Sequence, residues 1–163
     1  MKRFLGLLAC GMLLLTQAGS TVMADSDAAF EAFKSLKGRW AIQSGGKTIA
    51  TVMTYDVGSK DSIVTEQFGK ELTVIYRDGQ DLQMTHFCNA GNQPRLRLKP
   101  SRSPGLFEFE MFDITNLRSP NEPHVQKIVY RVVDGKHLAL EIVWRKGGSE
   151  ESEKYTLTRL VSD

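Results

Sequence analysis

From Arg39 to the end of the chain, apolar and polar residues alternate in short runs, and most runs are cut by a pair of turn-forming residues. The pairs are Gly45-Gly46, Gly58-Ser59, Gly69-Lys70, Asp78-Gly79, Asp134-Gly135 and Gly147-Gly148. A period of two fits an extended strand, and glycine in a tight turn supplies the positive φ that reverses the chain. The pattern predicts about ten strands, near 39–44, 47–56, 61–68, 71–77, 81–88, 95–99, 106–113, 124–133, 136–146 and 152–160. Short strands following one another through tight turns predict an all-β, antiparallel up-and-down meander closed into a barrel. One short helix, 26–37, precedes them: Phe30, Phe33 and Leu36 recur at helical spacing between Ser26, the expected N-cap, and Gly38. This helix is expected to close one barrel end.

The N-terminus reads as a leader. Lys2 and Arg3 precede an apolar stretch from Phe4 to Leu15, and Val22-Met23-Ala24 offers small residues for cleavage after Ala24. Thr16, Gln17, Ser20 and Thr21 interrupt the stretch before it reaches the roughly 20 residues of a membrane span. The expectation is an exported, periplasmic protein with a single domain over 25–163 and no span in that domain. A lipoprotein acylated at Cys10 is the weaker alternative, because too few apolar residues precede that cysteine. The chain carries 21 Lys+Arg and 19 Asp+Glu, and the leader removes two basic residues and no acidic one. The balanced remainder gives no reason to expect nucleic acid as a partner. Cys88 is then the only cysteine left, so no internal disulfide can form.

Closure can be read from the two ends of the sheet. In an up-and-down barrel Trp40 starts the first strand at the end where Arg159 finishes the last. Neighbouring in this way, the guanidinium can lie over the indole as a cation–π pair. Gly38-Arg39-Trp40 after a short helix, with a late arginine, resembles the arrangement of lipocalins and their fatty-acid-binding relatives.

Most of the chemistry lies in Thr85-His86-Phe87-Cys88-Asn89-Ala90-Gly91-Asn92-Gln93-Pro94-Arg95. Alternation along 81–88 places Leu82, Met84, His86 and Cys88 on one face, the interior one. The same rule in 124–133 groups His124 and Gln126 with Ile128 and Tyr130, and in 136–146 it groups Trp144 with Leu138, Leu140 and Ile142. His137 falls on the outer face. Tracing the meander up and down brings His86, Cys88, loop 89–94, His124, Gln126 and Trp144 to one mouth, opposite the helix. The stretch resembles one in a family of bacterial exported proteins with lipocalin-like barrels, where tyrosine stands in place of Phe87 and a histidine and tryptophan follow downstream, at the positions of His124 and Trp144. That resemblance locates a site and implies no activity.

Three uses of such a mouth are expected. The first is a small apolar ligand, walled by Phe107, Phe109, Met111 and Tyr130 and anchored by His86, Cys88, Asn92, Gln93, Arg95, His124, Gln126, Trp144 and Tyr76. The second is a metal or haem held by His86, Cys88 and His124, since imidazole and thiolate suit zinc and copper. The third is a filled, structural barrel whose motif merely shapes a loop: Asn89 and Asn92 favour Asx-turns, Gly91 supplies positive φ, and Arg95 ties the loop to Glu71 or Asp113. Catalysis fits poorly. A Cys/His pair two residues apart on a strand seldom brings its heteroatoms together, and Glu108 and Glu110 alternate outward, so no inward carboxylate is expected nearby.

Overall fold

A computed structural model describes residues 26–161. The leader and Cys10 lie outside the described residues. The helix α1 (Ser26–Lys34) leads into ten strands: β1 (Gly38–Ser44), β2 (Lys47–Gly58), β3 (Ile63–Phe68), β4 (Glu71–Asp78), β5 (Asp81–Phe87), β6 (Gln93–Leu98), β7 (Leu106–Thr115), β8 (His124–Val132), β9 (His137–Lys146) and β10 (Ser149–Arg159). Each strand pairs antiparallel with its neighbour in sequence, and β10 returns to β1 to close the barrel. The fold is the all-β meander barrel that the alternation predicts. Among the described residues, no helix is long and apolar enough to cross a membrane.

Closure rests on the pair expected for it. Trp40 and Arg159 are direct cross-strand partners, and the guanidinium sits 4.4 Å from the indole centroid. Arg159 also donates to the carbonyls of Ser35, Lys37 and Gly135, while Trp40 Nε1 donates to Leu36 O at 2.8 Å. These contacts explain why α1 stops before residue 37. The last residues wind on in a tighter turn that presents their carbonyls to Arg159. They also explain Gly38, where φ is 132° and a Cβ would come within 3.1 Å of the guanidinium.

The helix plugs the end it was expected to close. Phe33 enters the barrel and packs against Tyr130, Phe107 and Phe109 at centroid distances of 5.0, 5.3 and 5.7 Å. Ser26 donates its hydroxyl to Gln80 O, which ties the helix start to the β4–β5 turn. Trp40, Ile42, Met53, Ile75, Leu82, Met84 and Leu96 are fully buried with them. At this end the barrel is therefore solid.

Candidate functional site

Three connections gather at the opposite end. Asn92, fully buried in the loop after β5, donates its amide to Pro123 O at 2.9 Å, and Gly147 N in the β9–β10 turn donates to Asn121 O at 3.2 Å. The mouth expected from the trace of the chain is thus formed by the 88–92, 116–123 and 147–148 segments.

Just below it, one row of polar side chains crosses four strands. Tyr55 on β2 is opposite Glu66 on β3, Glu66 is opposite Thr73 on β4, and Thr73 is opposite His86 on β5. Cross-strand partners share a pleat face, and all four residues are buried. Tyr55 Oη donates to Glu66 Oε2 at 2.6 Å, and Thr73 Oγ1 lies 3.0 Å from His86 Nδ1. One step nearer the rim, Glu71 and Cys88 extend β4 and β5 on the same face. Glu71 Oε1 accepts from Cys88 Sγ at 3.8 Å and from Asn89 N at 3.1 Å. The donor atoms of Glu71, His86 and Cys88 lie within 4.8 Å of one another.

Burial governs the charge states here. It raises the Glu66 carboxyl, opposed in part by the hydrogen bond from Tyr55 and by the nearby hydroxyls of Tyr130 and Thr73. Burial and the neighbouring Glu66 raise Tyr55 and Tyr130 well above an ordinary phenol. Burial lowers His86, partly offset by the Glu71 charge, so the ring is neutral at neutral pH. Cys88 is pushed up to about 11, by burial first and then by Glu71, against the backbone N–H of Ala90 that points at its sulfur. A thiol in that state is a poor nucleophile.

Several expectations need correction. His124 does not join His86 inside. A bulge between Val125 and Lys127 shifts the register, so that Val125 is opposite Trp144 and His124 opposite Arg145. Trp144 shares the inner face of β9 with Leu140 and Ile142, which leaves His124 on the outer one. It is buried nonetheless, with Nδ1–H donating to Glu122 O at 2.8 Å. Gln126 is the inserted residue of the bulge and has no partner on β9. Strict alternation cannot foresee this, since one extra residue exchanges the faces for everything before it.

Gln93 and Arg95 also turn outward. Gln93 Oε1 accepts from Thr115 and Asn116 at 2.9 and 2.8 Å, while Arg95 pairs with Asp113 and lies over Phe112. Tyr76 meets Thr85 on the outside at 3.3 Å. Tyr130 faces inward, but among the core aromatics next to α1. His137 is exposed and bound to Asp134.

The inward carboxylates not expected from the sequence are Glu66 on β3 and Glu71 on β4, the second of which was expected only as a partner for Arg95. Hairpin registry could have found them. The two-residue turns Gly69-Lys70 and Gly79-Gln80 fix β3 to β4 and β4 to β5, and counting back from each places Glu66, Thr73 and His86 in register.

A cleft of about 310 Å³ opens at this end between Phe68, Glu71, Asn89, Trp144, Glu153 and Tyr155. Among the described residues, the buried indole N–H of Trp144 has no hydrogen-bond partner. A larger groove of about 400 Å³ lies across the outer faces of β8–β10 and β1, away from the titratable cluster. The mouth cleft is the one that meets chemistry, because Glu71 belongs to both. Comparison with protein families and with curated proteins found no match, so the residues themselves must carry the functional reading.

Proposed function

We propose that this is an exported barrel that binds a small, largely apolar molecule at its mouth. The supporting observation is the cleft walled by the rings of Phe68, Trp144 and Tyr155, with the buried N–H of that same indole unpartnered among the described residues. A concave apolar wall with a few unpaired polar groups is the usual form of a ligand site, and about 310 Å³ is at the small end of the range. The filled core beside α1 keeps the ligand shallow and favours a compact molecule over a macrocycle such as haem. Glu71 and Glu153 line the rim against Lys70 alone, so a neutral or cationic head fits better than a carboxylate. Export rests on the leader pattern of residues 1–24.

Native and denaturing masses of the protein purified from its producing cell test the reading, together with titration by the neutral probe N-phenyl-1-naphthylamine. A co-purifying molecule of a few hundred daltons, or saturable probe binding that weakens about tenfold or more in Trp144→Ala, is expected. Equal masses together with no saturable probe binding would refute it.

The outer-facing motif residues favour a second reading for part of the stretch. Asn92, Gln93 and Arg95 make loop and strand contacts in the structure, so they are assigned here to shaping the mouth and not to touching the ligand.

A further inference from the structure

We infer that Glu71, His86 and Cys88 form a binding site for one divalent cation of the zinc type, with Thr73 and Glu66 as positioning residues behind it. This goes beyond the organic-ligand reading and does not depend on it. One imidazole, one sulfur and one carboxylate are a donor set that zinc accepts. The 3.8 Å between Cys88 Sγ and Glu71 Oε1 is close to the edge of a tetrahedron built on bonds of about 2.0–2.3 Å.

A second observation points the same way. His86 is only 4 % exposed, yet among the described residues its Nε2 has no hydrogen-bond partner. A buried polar atom left alone costs about 1–3 kcal/mol, and the row of side chains behind the ring accounts for why it is this nitrogen. Thr73 Oγ1 lies 3.0 Å from His86 Nδ1, so that nitrogen already has its partner. With Nδ1–H donating to the hydroxyl oxygen, Nε2 carries the lone pair that is left bare. Orientation of a ligating imidazole through its other nitrogen is the usual outer-shell arrangement in metal sites. Coordination replaces the Cys88 thiol proton, which passes to solvent, and three protein donors leave a fourth position for water or for a molecule in the cleft that Glu71 also lines.

The test uses the protein as the cell produces it, with Cys10→Ser throughout so that Cys88 is the single thiol, stripped by chelation and titrated with Zn²⁺ and with Co²⁺. One equivalent of metal should bind, with a thiolate-to-cobalt charge-transfer band. Cys88→Ser should abolish that band, and His86→Gln and Glu71→Gln should each weaken Zn²⁺ binding about tenfold or more. Thr73→Val, which touches no metal, should weaken it about tenfold while the charge-transfer band persists at saturation. His124→Gln should leave binding unchanged. Thermal melts of each apo variant show whether it is folded. No Zn²⁺ bound at tenfold excess, or an equivalent kept at full affinity in folded Cys88→Ser and His86→Gln, would overturn the proposal. Because the titration reads metal alone and the naphthylamine titration reads the cleft alone, either reading can fail without the other.

Discussion

Glu66 is the residue whose placement most departs from ordinary surface chemistry. Its carboxyl is buried among Tyr55, Thr73 and Tyr130, and burial raises its pKa above the ordinary 4.5 of a glutamate. The sign of the consequence follows from proton counting. Between the unfolded and the raised folded value, the folded state holds more protons, so stability is full below about 4.5 and is lost as pH rises through the folded value. The carboxylates Asp56 and Asp134, which are exposed, and Asp113 and Glu122, which are half-buried, have lowered values and act in the opposite sense, losing stability as pH falls. Their contribution is common to the wild type and to Glu66→Gln and cancels in the difference. Chemical denaturation across pH 4–8 should therefore show the variant gaining on the wild type as pH rises. Parallel curves would mean that Glu66 is not buried as described. The inward face of His86 and Cys88 was legible because Leu82 and Met84 mark the core side of β5. Glu66 was equally legible from Val64, two residues before it, and was hidden only by the habit of assigning acidic residues to the surface.

At the scale of elements, turns and bulges decide what alternation cannot. The two-residue turns at 45–46, 69–70, 79–80 and 147–148 each hold glycine at positive φ, whereas after Gly58 it is Ser59, Lys60 and Asp61 that take it, and Gly135 does not. In the longer β6–β7 connection Gly105 shows the demand most sharply. Its φ is 71°, and a Cβ there would come within 2.6 Å of Val132 O. Val132 N meanwhile donates to Gly105 O at 2.8 Å, so the backbones are held at that distance. Gly105→Ala should destabilise the barrel by about 1–3 kcal/mol, read as a lowered denaturation midpoint with an unchanged slope. An unchanged midpoint would show that the β6–β7 connection can move aside. The bulge at Gln126 is the opposite case. No residue type announces it, yet it moves His124 across the sheet and removes the histidine partnership on which the sequence-level metal set depended. The imidazole lost from that set is replaced by Glu71, brought in by the registry of β4 with β5.

For the whole molecule, the two barrel ends have different work. One is packed solid by α1 and closed through Arg159, whose planar fork serves Ser35, Lys37 and Gly135 while covering Trp40. Lysine carries the charge but not the fork. Arg159→Lys should accordingly cost about 1–3 kcal/mol in denaturation, and it should leave mouth binding intact below the new melting temperature. A cost near zero would separate closure from this residue. Among the described residues the other end carries the unpaired Nε2 of His86, Nε1 of Trp144 and Oδ1 of Asn92, against the single Tyr130 hydroxyl beside α1, and the account stands on that end being where the protein binds. Mapping backbone amide shifts while adding Zn²⁺ and then N-phenyl-1-naphthylamine tests it most directly. The largest changes are predicted at residues 71–73, 86–91 and 142–146. Changes confined to the outer row of Gln43, Thr156, Ala139 and Arg131, or to α1, would contradict it.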